Sequence, residues 1–264
     1  MAPVQMLLRV RSLQARLLPH GVGDVLRQVL LFVVAYNGYR LVRGWVDDPQ
    51  GAAVAFQHAR DLIHIEQALN VFVEPSVQAW AGTKPVVIDL ASWIYINAQT
   101  SVTVGALAYL YLFHNRSFYF VRNMFLVAMG LALVGYTLFP TAPPRFMPEW
   151  GFYDAVSDFT GVRHDSVTAD ALFNPYAAVP SMHVCFALMI GVPLARLSRH
   201  RVTRVAWGLY PLLVTFVIVA TANHFLADAF LGAVTAGIAA YAAAWLARAR
   251  PSVWRFDPRA QATA

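Results

Sequence analysis

Two short motifs, each at the start of an apolar segment, contain the residues best suited to chemistry. The first is Pro-Ser-Met-His at residues 180–183, and the second is Asn-His-Phe-Leu-Ala-Asp at residues 223–228. Asp228 follows His224 by four residues, which places both side chains on one face of a helix. Histidine exchanges protons near neutral pH and can act as a nucleophile. His183, His224 and Asp228 are therefore candidate catalytic residues for breaking a phosphate ester without a metal.

Groups that could bind an anion accompany these residues. Pro180 and Ser181 precede a hydrophobic helix, and a helix start offers unpaired N–H groups and a partial positive charge. Ser181 and the amides of residues 181–183 therefore predict a phosphate-binding site. Arg145 follows an earlier apolar segment and could stabilise charge on phosphoryl oxygens. Each feature alone also fits a structural role, such as a polar anchor at a membrane interface. Their conjunction at the ends of apolar segments favours a functional site.

The composition indicates a membrane protein. The chain has 264 residues, of which 58% are hydrophobic and 13% are charged, whereas a soluble domain carries roughly 25% charged residues. The net charge of +6 does not indicate nucleic-acid binding, because the arginines fall in short loops between apolar segments and not on one soluble face. With a single cysteine, Cys185, the chain forms no internal disulfide.

The apolar segments predict an all-α fold, a polytopic membrane bundle with six transmembrane helices. A spanning helix needs about 20 mostly apolar residues, and six stretches qualify: 25–45, 86–112, 119–140, 181–197, 202–222 and 224–247. Residues 52–71 predict an additional amphipathic helix on the outer face. The predicted organisation is a cytoplasmic tail over 1–23, a first transmembrane helix with the amphipathic segment over 24–85, a catalytic core over 86–247 and a basic cytoplasmic tail over 248–264.

The distribution of charge predicts the orientation. Thirteen arginines lie in four segments, which are 1–23, 113–122, 196–204 and 248–264. The two long segments between spans, 46–85 and 141–180, hold four basic and ten acidic residues. Because cytoplasmic loops are enriched in Lys and Arg, both termini are expected to be cytoplasmic. Both histidines and Arg145 then reach the extracytoplasmic face, in what we expect to be a bacterial plasma membrane.

At these motifs the chain resembles the type-2 phosphatidic acid phosphatase superfamily. That family has a Pro-Ser-Gly-His motif, which residues 180–183 match with Met182 in place of Gly. It also has a Ser-Arg-x5-His-x3-Asp motif, which His224 and Asp228 match. The resemblance covers roughly residues 85–245, and the two motifs together are fairly specific.

The chain departs from the family at charged positions. Val217 and Ile218 stand where the family has Ser-Arg, and Leu138 stands at a motif lysine before Pro143-Pro144-Arg145. These departures are similar to the branch that includes inositol phosphorylceramide synthases and related bacterial membrane proteins. That branch also has a Phe-Pro-x-Ala-Pro-Pro stretch and an Asn-His-aromatic-x-x-Asp motif.

The resemblance implies a role for each matched residue. His224 would attack phosphorus and form phosphohistidine, Asp228 would orient it, and His183 would protonate the leaving oxygen. Ser181 and Arg145 would bind phosphate oxygens, without a metal or another cofactor. The missing arginine leaves a deficit of positive charge, for which Lys84, Arg163 and His164 are candidates. Gln99 and Asn97, within the second span, are candidates for lining a cavity.

Two reactions follow from this chemistry. The first is hydrolysis of a lipid phosphate or polyprenyl (di)phosphate, with the bilayer and the lipid as partners. The second is transfer of a phospho-headgroup to a lipid or polyol hydroxyl. A different class, in which His183 and His224 bind haem or a metal between helices, is less well supported, because axial histidines normally lie deeper in a bundle.

Overall fold

A computed structural model of the chain describes residue 18 and residues 20–44, 49–161 and 176–250. Arg163, His164 and most of the two predicted tails therefore lie outside the described residues. Within the described ranges the chain forms nine α-helices: α1 Gly21–Gly44, α2 Pro49–Ala68, α3 Glu74–Gly82, α4 Pro85–Phe113, α5 Asn115–Leu138, α6 Ala155–Thr160, α7 Met182–Leu197, α8 Arg201–Ala220 and α9 Leu226–Ala249. Two 3-10 helices, Pro144–Phe146 and Pro148–Trp150, lie between α5 and α6. The predicted all-α class is confirmed.

Three helices of the described residues, α5, α8 and α9, are long and apolar enough to cross a membrane. The other three predicted spans also coincide with helices, but these helices are shorter or carry more polar residues. Helix α7 is apolar with only 16 residues, α4 carries Asn97, Gln99 and Ser101 near its middle, and α1 contains Asp24 and Arg27. These polar residues lower the mean hydropathy of α4 and α1.

Helix α7 lies at the centre of the bundle and packs against α4, α5, α8 and α9. We call the end at which α5 and α8 finish and α7 and α9 begin the upper end of the bundle. There Ser181 N–H donates to the Asp228 carbonyl oxygen at 3.0 Å, which joins the start of α7 to the first turn of α9. The two motifs are thus held together by backbone contact.

Helix α1 packs against α5 through a buried polar cluster near the lower end. The hydroxyl groups of Tyr111 and Tyr119 donate to Asp24 at 2.9 and 2.7 Å. The fully buried Arg122 donates to Gln28 of α1 at 2.8 Å. Asp24 and Gln28 therefore attach α1 to the bundle, since buried polar groups are stable only when they are hydrogen-bonded.

A layer formed by α2, α3 and residues 139–161 covers the upper end. The buried positions of α2 recur at Ala55, Ala59, Leu62 and Ile63, which is the spacing of one helical face. This face packs in a cluster with Phe225 and with residues of the 139–152 segment. The helix predicted at 52–71 is therefore present as α2, three residues earlier in the chain.

Glycine at two positions permits the tight packing of the turn before α7. A Cβ atom added to Gly232 of α9 would overlap the carbonyl oxygen of Ser181. A Cβ atom added to Gly135 of α5 would lie 2.7 Å from Pro180 Cδ. Both helices therefore approach the backbone of residues 180–181 more closely than any larger residue would allow. This packing fixes where α7 begins.

Candidate active site

His224 lies in the turn between α8 and α9, and Asp228 lies in the first turn of α9. The Nδ1 atom of His224 is 3.2 Å from Asp228 Oδ2. The same carboxylate oxygen accepts the N–H of Phe225 at 3.0 Å. Asp228 is fully buried, and His224 is 6% exposed. The carboxylate thus fixes the Nδ1 edge of the imidazole, so Nε2 is the nitrogen placed to react with a ligand.

His183 belongs to the first turn of α7 and faces His224. The centroids of the two rings are 5.4 Å apart, with an interplanar angle of 63°. On its other side His183 stacks on Tyr95 of α4, with 4.6 Å between ring centroids. Two imidazole rings from different helix starts are therefore close enough to contact one small group between them.

Ser181 is the N-cap residue of α7, but its hydroxyl group forms no capping hydrogen bond. The residue is fully buried, and its Oγ atom has no hydrogen-bond partner among the described residues. Buried hydroxyl groups are nearly always hydrogen-bonded, and a helix start carries partial positive charge. Of the amides predicted to bind phosphate, that of Ser181 instead donates to the Asp228 carbonyl oxygen. The Ser181 hydroxyl and the first turn of α7 are thus the groups suited to bind an anionic oxygen.

Arg145 is held beside the His224 turn. Its backbone N–H donates to the Ala222 carbonyl oxygen at 2.8 Å, and its guanidinium group donates to the Asn223 side-chain oxygen. Asp154, which caps α6, lies 3.7 Å from Arg145 Nε. Arg145 therefore brings positive charge to the residue next to His224, although Asp154 offsets part of that charge.

Asn223 links Arg145 to the histidine turn. Its amide nitrogen donates to the carbonyl oxygen and hydroxyl oxygen of Thr221 at 3.1 and 2.9 Å. The intervening Ala222 has a positive φ of 51°, a conformation that needs local support in a residue with a Cβ. The sequence motif contained Asn223, but its positioning role was not predicted, because it depends on Arg145, 78 residues away in the chain.

Two buried glutamates were missed entirely. Glu74 of α3 accepts the N–H of Leu226 at 2.8 Å, and Glu66 of α2 accepts the N–H of Ala227 at 2.7 Å. Burial and the neighbouring carboxyl of Glu74 raise the pKa of Glu66 to about 8. In the sequence both look like ordinary acids of a polar segment, and only the folded chain places them at the start of α9.

Lys84, a further predicted phosphate-binding residue, does not contact the histidines. The Lys84 ammonium lies 4.2 Å from the centroid of the Trp80 ring and donates to the Trp80 carbonyl oxygen and to Thr83. It precedes α4 by one residue, and at 1.5 Å per residue it is roughly 16 Å along the helix axis from Tyr95, which touches His183. Arg163 lies outside the described residues.

A small apolar cavity lies beside His183 between α4, α7 and α8. Its polar lining comes from Gln99, Thr103 and Tyr210, and the rest is mostly aliphatic and aromatic. Gln99 therefore lines a cavity, as predicted for it, whereas the Asn97 amide donates to the Trp93 carbonyl oxygen of its own helix. Val217 and Ile218, at the positions of the motif Ser-Arg, are buried apolar residues in the same lining.

Within the part of the chain that the structure describes, no group of three His, Cys, Asp or Glu residues is arranged to hold a metal ion. The family model of the PAP2 superfamily matches residues 60–242, a range that includes both histidines, Arg145, Glu66 and Glu74. No curated protein and no solved structure matches the chain significantly.

Proposed function

Because the chain belongs to the PAP2 superfamily, whose membership indicates a phosphatase-type membrane enzyme, we propose that it is an integral-membrane lipid phosphatase. Its substrate is a lipid phosphate or a polyprenyl (di)phosphate. The observation that carries the proposal is the pair of imidazole rings 5.4 Å apart, one of them held by the buried Asp228. Nearby in the chain, the buried Ser181 hydroxyl has no hydrogen-bond partner among the described residues.

In the first step, Nε2 of His224 attacks phosphorus. The bond between phosphorus and the lipid oxygen breaks, and the departing oxygen takes a proton from His183. In the second step, His183 removes a proton from water, the resulting hydroxide attacks the phosphohistidine, and the N–P bond breaks to release phosphate. Asp228 stabilises the positive charge on the His224 ring.

Phosphate oxygens are bound by Ser181, by the start of α7 and by Arg145. These donors stabilise the negative charge that the non-bridging oxygens carry in the transition state. The buried Val217 and Ile218 add no charge, so the helix start and Arg145 supply the positive potential. Lys84 is not included, because its contacts are with Trp80 and Thr83. No metal or cofactor takes part in this mechanism.

The start of the lipid chain faces the small apolar cavity below His183. That cavity begins at the proposed proton donor and continues between α4, α7 and α8. A lipid whose phosphate lies at the histidines would place its first methylene groups there, where burial is favourable by about 0.8 kcal/mol per methylene group.

Transfer of a phospho-headgroup, as in the inositol phosphorylceramide synthase-like branch, is the second candidate. It shares the phosphohistidine step, with a lipid or polyol hydroxyl replacing water. The observation in its favour is the burial of the site: His224 is 6% exposed, and its neighbour Phe225 packs in a cluster that includes α2. A covered site limits the access of water to the intermediate.

The decisive experiment is product analysis with the purified full-length protein. A panel of lipid phosphates and polyprenyl diphosphates is supplied with and without inositol or glycolipid acceptors, and products are identified by mass spectrometry. Free phosphate identifies a hydrolase, and a new phosphodiester identifies a transferase. Turnover that depends strictly on an added metal would contradict the phosphohistidine mechanism.

A matched set of variants tests the histidine roles. His224→Ala should abolish both turnover and acid-labile labelling from a ³²P-substrate, and His183→Ala should abolish turnover. His200→Ala, which changes an exposed histidine before α8, should retain activity. Full activity of either of the first two variants would rule out the mechanism.

A further inference from the structure

The start of α9 is held by three carboxylates from three helices. The N–H groups of residues 225, 226 and 227 donate to Asp228, Glu74 and Glu66, at 3.0, 2.8 and 2.7 Å. A helix start normally leaves these donors open to water or to a ligand. Here each is occupied, so this helix start is fixed to α2 and α3 and does not serve as a phosphate site.

In each glutamate, one carboxylate oxygen accepts a backbone N–H group and the other does not. Glu66 Oε2 and Glu74 Oε2 are buried without a hydrogen-bond partner among the described residues, and the residues are 2% and 0% exposed. The two carboxyl groups accept the N–H groups of consecutive residues, Leu226 and Ala227, which places them next to each other. Two adjacent buried anions repel strongly, whereas one proton between them gives each orphaned oxygen a partner.

Among the residues that the structure describes, no basic side chain forms an ion pair with either glutamate. Across from the pair on α9 lies Asp228, which is also acidic, with His224 on the far side of Asp228. Arg60 and Asp61 of α2 interact with Gln57 instead. The start of α9 contributes a partial positive charge to the pair.

We propose that Glu66 and Glu74 share one proton and act as positioning residues for His224, by anchoring the helix start that places Asp228 against its ring. The positioning role rests on the proposed function, whereas the shared proton does not. A pKa of about 8 for Glu66 keeps the proton in place at neutral pH.

The sign of the pH dependence follows from this raised pKa. Because the folded-state pKa lies above the ordinary value of 4.5, the fold favours the protonated carboxyl. Its contribution to stability is complete below pH 4.5 and is lost as the pH rises to about 8. Above that range the two anions repel beside Asp228, which loosens the start of α9 and lowers activity.

Three substitutions test the proposal. Glu66→Gln keeps an acceptor for Ala227 N–H and supplies an amide donor to Glu74, so no shared proton is needed. We expect near-normal turnover at pH 7, activity that persists above pH 8, and loss of the infrared C=O band of a protonated carboxyl. Glu66→Ala removes the acceptor and should lower kcat about 10- to 100-fold with little change in KM. Glu149→Gln, an exposed acid of the same layer, should change none of these.

Two outcomes would overturn the proposal. One is a Glu66→Gln variant whose pH–rate profile and infrared band both match those of the unsubstituted protein. The other is a Glu66→Ala variant, folded by circular dichroism, with unchanged kcat. If no phosphate ester is turned over, the proposed function fails separately. The infrared band and the pH dependence of Tm then still decide whether the proton is shared.

Discussion

Asp228 holds both the His224 ring and the Phe225 N–H with one oxygen atom, Oδ2. In Asp228→Asn an amide oxygen can keep the backbone contact but cannot stabilise a positive charge on the ring. We expect kcat to fall roughly 10³- to 10⁴-fold, by comparison with other His–Asp pairs, while the Tm stays close to that of the unsubstituted protein. Steady-state kinetics and thermal unfolding measure the two effects.

Asp158→Asn is the control for that substitution. It makes the same chemical change at an exposed carboxylate of α6, so turnover should be unaffected. If Asp228→Asn retains near-normal turnover, Asp228 has a structural role at the start of α9 and the mechanism loses its orienting group.

Ser181 offers a test in which stability and activity move in opposite directions. Its buried hydroxyl has no hydrogen-bond partner in the part of the chain that the structure describes. Ser181→Ala should therefore leave the free energy of unfolding unchanged or raise it by up to about 1 kcal/mol. If the hydroxyl binds phosphate, kcat/KM should fall by about 10-fold or more. Ser198→Ala, which removes a hydroxyl bonded to the Leu194 carbonyl oxygen at 2.7 Å, should leave kcat/KM unchanged.

The residues brought together in the site differ in how readily the sequence revealed them. His183, His224 and Asp228 were predicted because each sits at a local helix start with a fixed spacing. Glu66 and Glu74 were not, because their partners on α9 lie 161 and 152 residues further along the chain. No local pattern distinguishes such buried acids from solvated ones, so only the tertiary structure identifies them.

The bounds of the helices follow the apolar stretches of the sequence closely. The spans predicted at 181–197 and 86–112 correspond to Met182–Leu197 and Pro85–Phe113. The short helices α3 and α6, with nine and six residues, were not predicted. Helices of that length are not stable alone, and these two form in contact with α4 and with neighbouring elements.

Packing between α7 and α9 sets the distance between the two motifs, and Gly232 is where it is tightest. In Gly232→Ala the new Cβ would overlap the Ser181 carbonyl oxygen, so the helices must separate. We expect a loss of about 1–3 kcal/mol in the free energy of unfolding, together with a fall in kcat/KM, because His183 and His224 move apart.

Gly237→Ala on the same helix provides the matched control. A Cβ there meets no atom within 4 Å, and alanine stabilises a helix by roughly 0.5–1 kcal/mol relative to glycine. This variant should therefore unfold at a slightly higher temperature with unchanged activity. Equal effects of the two substitutions would mean that the close packing of α7 against α9 does not determine the geometry of the site.

The whole molecule has a charge asymmetry that predicts its orientation. At the lower end, opposite the histidines, α7 and α8 are joined by a segment with Arg196, Arg199, Arg201 and Arg204. At the upper end, the layer of α2, α3 and residues 139–161 carries most of the acids outside the bundle. Because basic loops remain in the cytoplasm, the six predicted spans would place the histidines at the extracytoplasmic face and both termini inside.

Cysteine labelling tests this orientation directly, since the only cysteine, Cys185, is fully buried. In a Cys185→Ala background, Asp158→Cys places a thiol on the exposed surface of α6, and His200→Cys places one at the opposite end. A membrane-impermeant maleimide should label position 158 in intact cells and position 200 only after permeabilisation. The reverse pattern would place the site in the cytoplasm. Its substrate would then have to come from the inner leaflet, and the charge argument for the six-span topology would fail.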